Sequence, residues 1–529
     1  MRRLILLLIW LPLAGAEFDW VFRNARVVDG TGNPWYLADV GVKDGKIAVI
    51  GDLTNAEADR VVDAAGKVLA PGFIDVHTHV ERTLERVPGG DNFVFDGVTT
   101  IVTGNCGSSK ADLAAWFRTL EKLGLGLNVA SLVGHNTIRR QVMGAEPRAP
   151  TAEELARMEA LVEQAMRAGA VGLSTGLIYV PGTYAETREI IALARVAARY
   201  GGVYATHLRN EGLEWLEAIK EAIRIGQEAD IPVQISHFKA SSRRAWGWSA
   251  KAIALIEKAR REGLDVVVDQ YPYDRSSTGL GILLPSWALA GGDEQLKERL
   301  ADSETRSRIL KEMLELLDRR GQPDYAFATV ARFEADPSLE GKTITEINRL
   351  RGRAASAANE ALTVLEMVNQ GGASMVYHTM SIEDVERILR YPNTAVASDG
   401  STIVFGEGKP HPRSYGTNAR VLARFVREQG VLTLEDAVRR MTSLPARTFG
   451  FRDRGLLAEG FAADLVLFDP ERVEDRASFE NPHQFSSGFE LVLVNGVAVI
   501  DDDKLTGRRP GKVLRRRFLG HESVSPIQP

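Results

Sequence analysis

Eight short β-rich runs, separated by helical stretches or longer connections, recur between residues 72 and 399 and leave few architectures open. They are GFIDVHTH (72–79), TTIVTGNC (99–106), ASLVGH (130–135), AVGLST (170–175), VYATH (203–207), PVQISH (232–237), DVVVDQY (265–271) and TAVASD (394–399). Strand runs alternating with helices are the pattern of βα units in a parallel sheet. The intervening stretches TAEELARMEALVEQAMRAG (151–169) and WSAKAIALIEKARREG (248–263) are apolar at three- and four-residue spacing, and the first opens on the capping box Thr151-x-x-Glu154. Eight strands is the number that closes a barrel. The expected class is therefore α/β, a (β/α)8 TIM-like barrel over residues 66–450.

Both flanks change pattern. WVFRNARVVDGTG and ADVGVKDGKIAVIG alternate apolar runs with turns, with KDG as a tight hairpin, and DRGLLAEGFAADLVLFDP (453–470) and ELVLVNGVAVIDDDKL (490–505) return to that alternation. Residues 17–65 and 451–529 are expected to form one small discontinuous β-sandwich. Residues 275–372 are too long for a βα connection and carry their own charged helices. They are expected to be an inserted lid subdomain between the seventh and eighth strands.

The formal net charge of −5 carries no footprint of a nucleic-acid binder. A small-molecule substrate is expected instead, and the basic run GRRPGKVLRRR (507–517) reads as a solvated face. Arg2 and Arg3, the apolar run Leu4 to Leu13 and Ala14-Gly15-Ala16 read as a signal peptide over residues 1–16. Its apolar run falls short of the roughly twenty residues a spanning helix needs, so the expected product is exported, periplasmic or extracellular, without a membrane span. The chain has one cysteine, Cys106, which excludes an intramolecular disulfide. In an oxidising compartment a lone thiol is protected by burial or by a metal.

Chemistry in such barrels sits at the C-terminal ends of the strands. Here the first run ends in His77-Thr78-His79, the second in Cys106, the fifth in His207, the sixth in His237 and the eighth in Asp399. Residues i and i+2 of a strand point the same way, so His77 and His79 can reach one ion. An HxH pair alone is weak evidence, because strand-end histidines often satisfy buried hydrogen bonds. Its coincidence with thiolate, imidazole and carboxylate donors at four further strand ends, in a chain with nine histidines, points to a zinc-type site. His135 and His378 can line the mouth or serve the core. His411, His483 and His521 are given no metal role.

The motifs APGFIDVHTH (70–79), GVTTIVTGNCGSS (97–109), VGLSTGLIYVPGTYA (171–185), THLRNEG (206–212), ISHFKA (235–240), VDQYPYDRSSTGL (268–280), SDGSTIV (398–404) and HPRSYGT (411–417) resemble those of the N-acyl-D-amino-acid deacylase family of the amidohydrolase superfamily. The likeness spans about residues 18 to 500, and its most specific element is NCG. The resemblance implies a tight zinc on Cys106, His207 and His237. It also implies a second, weaker site on His77, His79 and Asp399 with Cys106 bridging, and Asp399 as catalytic base. It further implies that Lys239, Arg413, Tyr179 and Ser276 or Ser277 bind substrate. Val80-Glu81 after His79, and the tandem Arg243 and Arg244, depart from the family pattern.

The implied reaction is hydrolysis of the amide bond of N-acyl-D-amino acids. A metal makes water nucleophilic near neutrality, Asp399 shuttles its proton, and Tyr179 donates to the oxyanion. Arg413 and Lys239 meet the α-carboxylate. A dipeptidase cutting L-Xaa-D-Xaa bonds on the same machinery is the alternative substrate reading, and a catalytically inactive binding protein the alternative class. The sequence leaves the preferred side chain, one or two working zinc ions and the oligomeric state open.

Overall fold

The computed structural model describes residues 16–516. The expected signal peptide, apart from Ala16, lies outside the described residues, as does His521. No helix among the described residues is long and apolar enough to cross a membrane.

The eight expected runs form parallel strands at Phe73–Asp75, Val98–Thr103, Asn128–Ser131 continued by Val133–Gly134, Gly172–Gly176, Val203–His207, Val233–Ile235, Val266–Gln270 and Thr394–Val396. The first three pair in sequence order. The second piece of the third begins a six-stranded parallel sheet that runs to the eighth. A parallel bridge between Thr78 and Gly400 joins the segments leaving the first and eighth strands. Most of these strands are buried at every residue. That explains runs such as Val266-Val267-Val268: a strand covered on both faces has no solvent side on which to alternate.

The helix Ala152–Arg167 shows how the connections are specified. Thr151 and Glu154 form the reciprocal capping box, and Met158, Val162, Ala165 and Met166 make its buried stripe. Burying Met158, Val162 and Met166 contributes roughly 1.5–3 kcal/mol each.

The two ends of the chain share one nine-stranded sheet. Its joint is Val68–Pro71, parallel to Phe18–Val27 on one side and antiparallel to Leu465–Phe468 on the other, so the sheet continues past residue 65. Trp20, Phe22, Val40, Ile47, Leu69, Leu465 and Leu493 close one apolar core from both termini. The hairpin turns on Asp44 and Gly45, at φ 51° and 74°, the paired left-handed conformation of a two-residue turn.

The inserted segment has strands as well as the expected helices. Arg275–Gly279, Ser374–His378 and Ala328–Arg332 form an antiparallel sheet, which carries the segment on to His378, past residue 372. Ile309, Met313, Leu317, Val330, Val364 and Met375 belong to its separate apolar core. The described part of the basic run is not a free face. Pro510, Gly511 and Val513 bridge to Leu125 and Val129 at the entry of the third parallel strand, and Arg515 pairs with Glu121.

Candidate metal centre

The five strand-end positions singled out by sequence converge. His207 closes its strand, and His77, Cys106, His237 and Asp399 follow theirs by two or three residues. Three of these residues have left-handed backbone: Cys106 at φ 52°, His237 at φ 33° and Asp399 at φ 51°. Non-glycine residues pay about 1–3 kcal/mol for such backbone, which clusters at functional sites. Buried hydrogen bonds hold these turns. Gly107 N donates to Ser174 Oγ at 3.1 Å, His237 N to Asp269 Oδ1 at 2.7 Å, and Ser398 N to Asp75 Oδ1 at 3.1 Å. The glycine of NCG is needed twice over: Gly107 has φ +75°, and a Cβ there would stand 2.2 Å from Asn136 Oδ1.

Cys106 is the hub. Its Sγ lies 3.3 Å from His77 Nε2, 3.5 Å from His237 Nε2 and 3.6 Å from His207 Nδ1. Asp399 Oδ1 lies 3.0 Å from His79 Nε2 and 3.4 Å from His77 Nε2. The donor atoms of Cys106, His207 and His237 fall within 4.8 Å of one another, as do those of His77, His79 and Cys106, and those of His77, His237 and Asp399. Two overlapping ion positions sharing Cys106 are thus available.

Electrostatics bind these groups together. Burial pushes the Cys106 thiol up, but the imidazoles of His77 and His237 and hydrogen bonds from His207 and His237 hold it well below the usual range. Burial raises Asp399 too, and the Arg413 guanidinium, then His77, His79 and His237, bring it well below the carboxylate range. Burial disfavours the His77 cation, yet Asp269, Cys106 and Asp399 raise its pKa well above normal. His207 is driven down, chiefly by burial. A buried thiolate and carboxylate compensated by imidazolium protons is a donor set from which a divalent ion displaces those protons, since metal ligands bind deprotonated. One thiolate, four imidazoles and a carboxylate suit zinc.

Sequence reasoning missed the carboxylates behind the cluster. Asp269, at the end of the seventh strand, lies 3.2 Å from His77 Nδ1 and accepts from Gln234 Nε2 at 2.7 Å. Glu211 lies 3.1 Å from His237 Nδ1. Both stand inside quoted motifs, VDQYPYD and THLRNEG. An acidic residue beside a strand end is too common to single out without its partner in view.

A cavity of about 1200 Å³ opens over the cluster, lined by His79, Cys106, His207, His237 and Asp399 and by the expected substrate residues Tyr179, Lys239, Ser276 and Ser277. The Tyr179 ring packs 4.7 Å from His207, and its phenol oxygen accepts from Thr278 Oγ1 at 3.1 Å, which leaves its own proton free to donate. Lys239 Nζ lies 2.7 Å from Glu211 Oε1. Arg413 is not on the cavity wall. It is buried beside Asp399, its Nη1 at 2.9 Å from Oδ2 but out of line for a hydrogen bond, with Nη2 donating to Ser277 O at 3.3 Å.

The other histidines serve structure or lie at the edge. His135 meets Glu189 at 2.8 Å, and His378 meets Asp274 at 3.2 Å. His411 accepts from Arg413 N and faces the Arg275 carbonyl, so it props the loop carrying the guanidinium. His483 contacts Tyr415. Glu81 accepts from Thr103 Oγ1 and Gly104 N, which ties it to the second strand. Arg244 pairs with exposed Asp318, and Arg243 stacks over Trp246.

A sequence profile described as the amidohydrolase family matches residues 60–274 and 298–500. N-acyl-D-glutamate deacylase of Alcaligenes xylosoxydans xylosoxydans is 38% identical over 522 residues, covering 94% of this chain and 97% of that protein. The crystal structure of N-acyl-D-glutamate deacylase from Bordetella bronchiseptica, complexed with zinc and a phosphonate inhibitor, superposes with a TM-score of 0.81 at 36% identity, covering 94% of this chain and 99% of that one. A D-aminoacylase structure concerned with the role of its binuclear metal centre gives a TM-score of 0.80 at 36% identity, over 94% of this chain and all (100%) of that one.

Proposed function

The chain belongs to the amidohydrolase family, and from that premise we propose that it is a zinc-dependent enzyme hydrolysing the amide bond of N-acyl-D-amino acids to a carboxylate and a free D-amino acid. The observation that carries this reading is the convergence of Cys106, His207, His237, His79 and Asp399 on the wall of one cavity, with the fully buried His77 3.3 Å from Cys106 Sγ. Cys106, His207 and His237 would hold the tight zinc, and His77, His79 and Asp399, with Cys106 shared, a weaker second ion. Zinc, when bound, lowers the pKa of water from about 15.7 to about 7 and polarises a carbonyl.

The protein's own groups do the rest. Asp399, held ionised by its neighbours, takes the proton of the attacking water and returns it to the departing nitrogen. Tyr179 donates its free O–H to the oxygen on which charge develops. Ser276, Ser277 and Lys239 offer polar contacts from the cavity wall. Arg413, off the cavity wall and against Asp399, keeps the α-carboxylate role that the family resemblance implies, with Nε and Nη1 lacking a hydrogen-bond partner.

For the architecture, we propose that the eight parallel strands close a (β/α)8 barrel over about residues 66–450. The shared terminal sheet is the small discontinuous β-sandwich, and residues from 275 to about 372 are a lid over the mouth. The supports are the Thr78–Gly400 bridge, the common core of the two termini and the separate core of the insertion. We further propose export to the periplasm or beyond, on the composition of residues 2–16, with N-terminal sequencing of secreted protein as the check.

The decisive experiment is a substrate panel on zinc-loaded protein: N-acetyl-D-amino acids, their L enantiomers and L-Xaa-D-Xaa dipeptides. Turnover of the D series alone is expected. Faster cleavage of the dipeptides would move the assignment to a dipeptidase, and no turnover of any amide would overturn it.

A further inference from the structure

Two buried carboxylates stand behind the cluster, and the proposed reaction uses neither. Their placement is unequal. His207 turns Nδ1 toward Cys106, so Nε2 is its far nitrogen, whereas His237 turns Nε2 toward Cys106 and Nδ1 away. Both far nitrogens face Glu211, and His237 Nδ1 also lies 2.8 Å from Lys239 Nζ. Glu211 Oε1 lies 3.1 Å from His237 Nδ1, and Glu211 Oε2 lies 3.8 Å from His207 Nε2. His207 Nε2 is buried with no hydrogen-bond partner, and Glu211 is the one carboxylate within ion-pair reach of it among the described residues.

The chain builds this arrangement deliberately. Glu211 follows His207 by four residues, and its carbonyl accepts from Ser241 N at 2.7 Å, four residues after His237. The loops that leave the two histidines are thereby clasped at the residue whose side chain faces both rings. Lys239 Nζ, 2.7 Å from Oε1, balances the buried charge.

The other two histidines are treated differently. His77 has its own carboxylate, Asp269, at 3.2 Å from Nδ1. The side chain of His79 is 32% exposed, and its one carboxylate neighbour among the described residues is Asp399 itself.

We propose that Glu211 is the positioning residue that makes the Cys106–His207–His237 position the tight one; Asp269 touches that position only through the His237 backbone N–H, at 2.7 Å, and its imidazole partner is His77 of the weaker position. A ligating imidazole is neutral, with its proton on the far nitrogen. A carboxylate accepting that proton fixes tautomer and ring orientation and raises ligand basicity. Glu211 stands at 3.1 Å from His237 Nδ1 and within ion-pair reach, 3.8 Å, of His207 Nε2, so one carboxylate serves two of the three ligands of one position; nothing comparable serves His79. The proposal rests on the reading of the cluster as a zinc centre.

The test measures zinc itself. Metal-free wild type, Glu211→Gln and Asp269→Asn are titrated with Zn2+ against a chromogenic chelator, and the melting temperature of each metal-free protein is recorded. Glu211→Gln is expected to weaken the first zinc by about 10- to 100-fold, the range for loss of an outer partner. Asp269→Asn is expected to leave the first zinc within about threefold and to weaken only the second. Glu211→Gln also strands the Lys239 ammonium. Should it fail to fold, the double variant Glu211→Gln/Lys239→Met carries the same criterion.

A merely structural role for Glu211 would lower the melting temperature of the metal-free protein and leave the zinc constant unchanged. That outcome, or equal loss of the first zinc in the Asp269 variant, overturns the proposal. Wild type that takes up no zinc overturns the zinc reading beneath it.

Discussion

Arg413 Nη1 stands 2.9 Å from Asp399 Oδ2, and both side chains are buried. The guanidinium that the sequence suggests as an anchor for substrate is therefore also the cation that faces the candidate base. It stacks over Tyr271 at 4.6 Å, while the Arg413 backbone N–H donates to His411 Nδ1 at 3.0 Å. Its removal should be felt in the chemistry as well as in binding.

Arg413→Ala should lower kcat/KM for N-acetyl-D-amino acids by roughly thirtyfold or more, because a desolvated charge-assisted pair costs about 2–5 kcal/mol when one partner is lost. Arg413→Lys should rescue only part, since an ammonium lacks the planar fork. Burial raises the pKa of Asp399 and Arg413 is the foremost group lowering it. Without that cation the carboxylate stays protonated, and idle as a base, up to a higher pH. The acid limb of the kcat/KM profile should therefore move to higher pH. A substrate with its carboxylate replaced by a neutral amide separates the two effects: equal loss on acid and amide would leave the guanidinium a role toward Asp399 or its loop alone.

Asp399→Asn should fold and retain the first zinc on Cys106, His207 and His237, yet lose at least about a hundredfold in kcat, as expected for loss of a general acid–base group. Zinc content and kcat measured on one preparation check it. Normal kcat across the pH range would remove Asp399 from the role of base.

Cys106→Ala should abolish tight zinc and turnover together. Its sulfur lies within 3.6 Å of three imidazoles, and no second thiol exists in the chain to replace it. Stoichiometric zinc with ordinary turnover in the variant would dissolve the metal assignment. Thermal unfolding of the metal-free variant gives the control for packing.

Tyr179→Phe keeps the ring against His207 and removes only the phenol that Thr278 holds. The expected loss is about a hundredfold in kcat with little change in KM, the signature of a donor that acts on developing charge. A rise in KM at constant kcat would make Tyr179 a binding contact instead.

What the sequence by itself determined follows from periodicity and from strand ends. Runs buried on both faces betray themselves by unbroken apolar residues such as Val266-Val267-Val268, and the capping box at Thr151 marks its helix start. His77, His79, Cys106, His207, His237 and Asp399 were legible because a parallel sheet delivers all its strand ends to one side. The tertiary structure decided what depends on which distant residue faces which. Glu211 and Asp269 are ordinary acidic residues until His207, His237 and His77 turn their far nitrogens toward them. Arg413 reads as a free cation until Asp399, 14 positions earlier by number, is seen beside it. The strand Ala328–Arg332 is set by pairing with Ser374–His378 across the intervening helices Ile344–Leu350 and Ala357–Asn369, and that pairing is a non-local contact that no local pattern encodes.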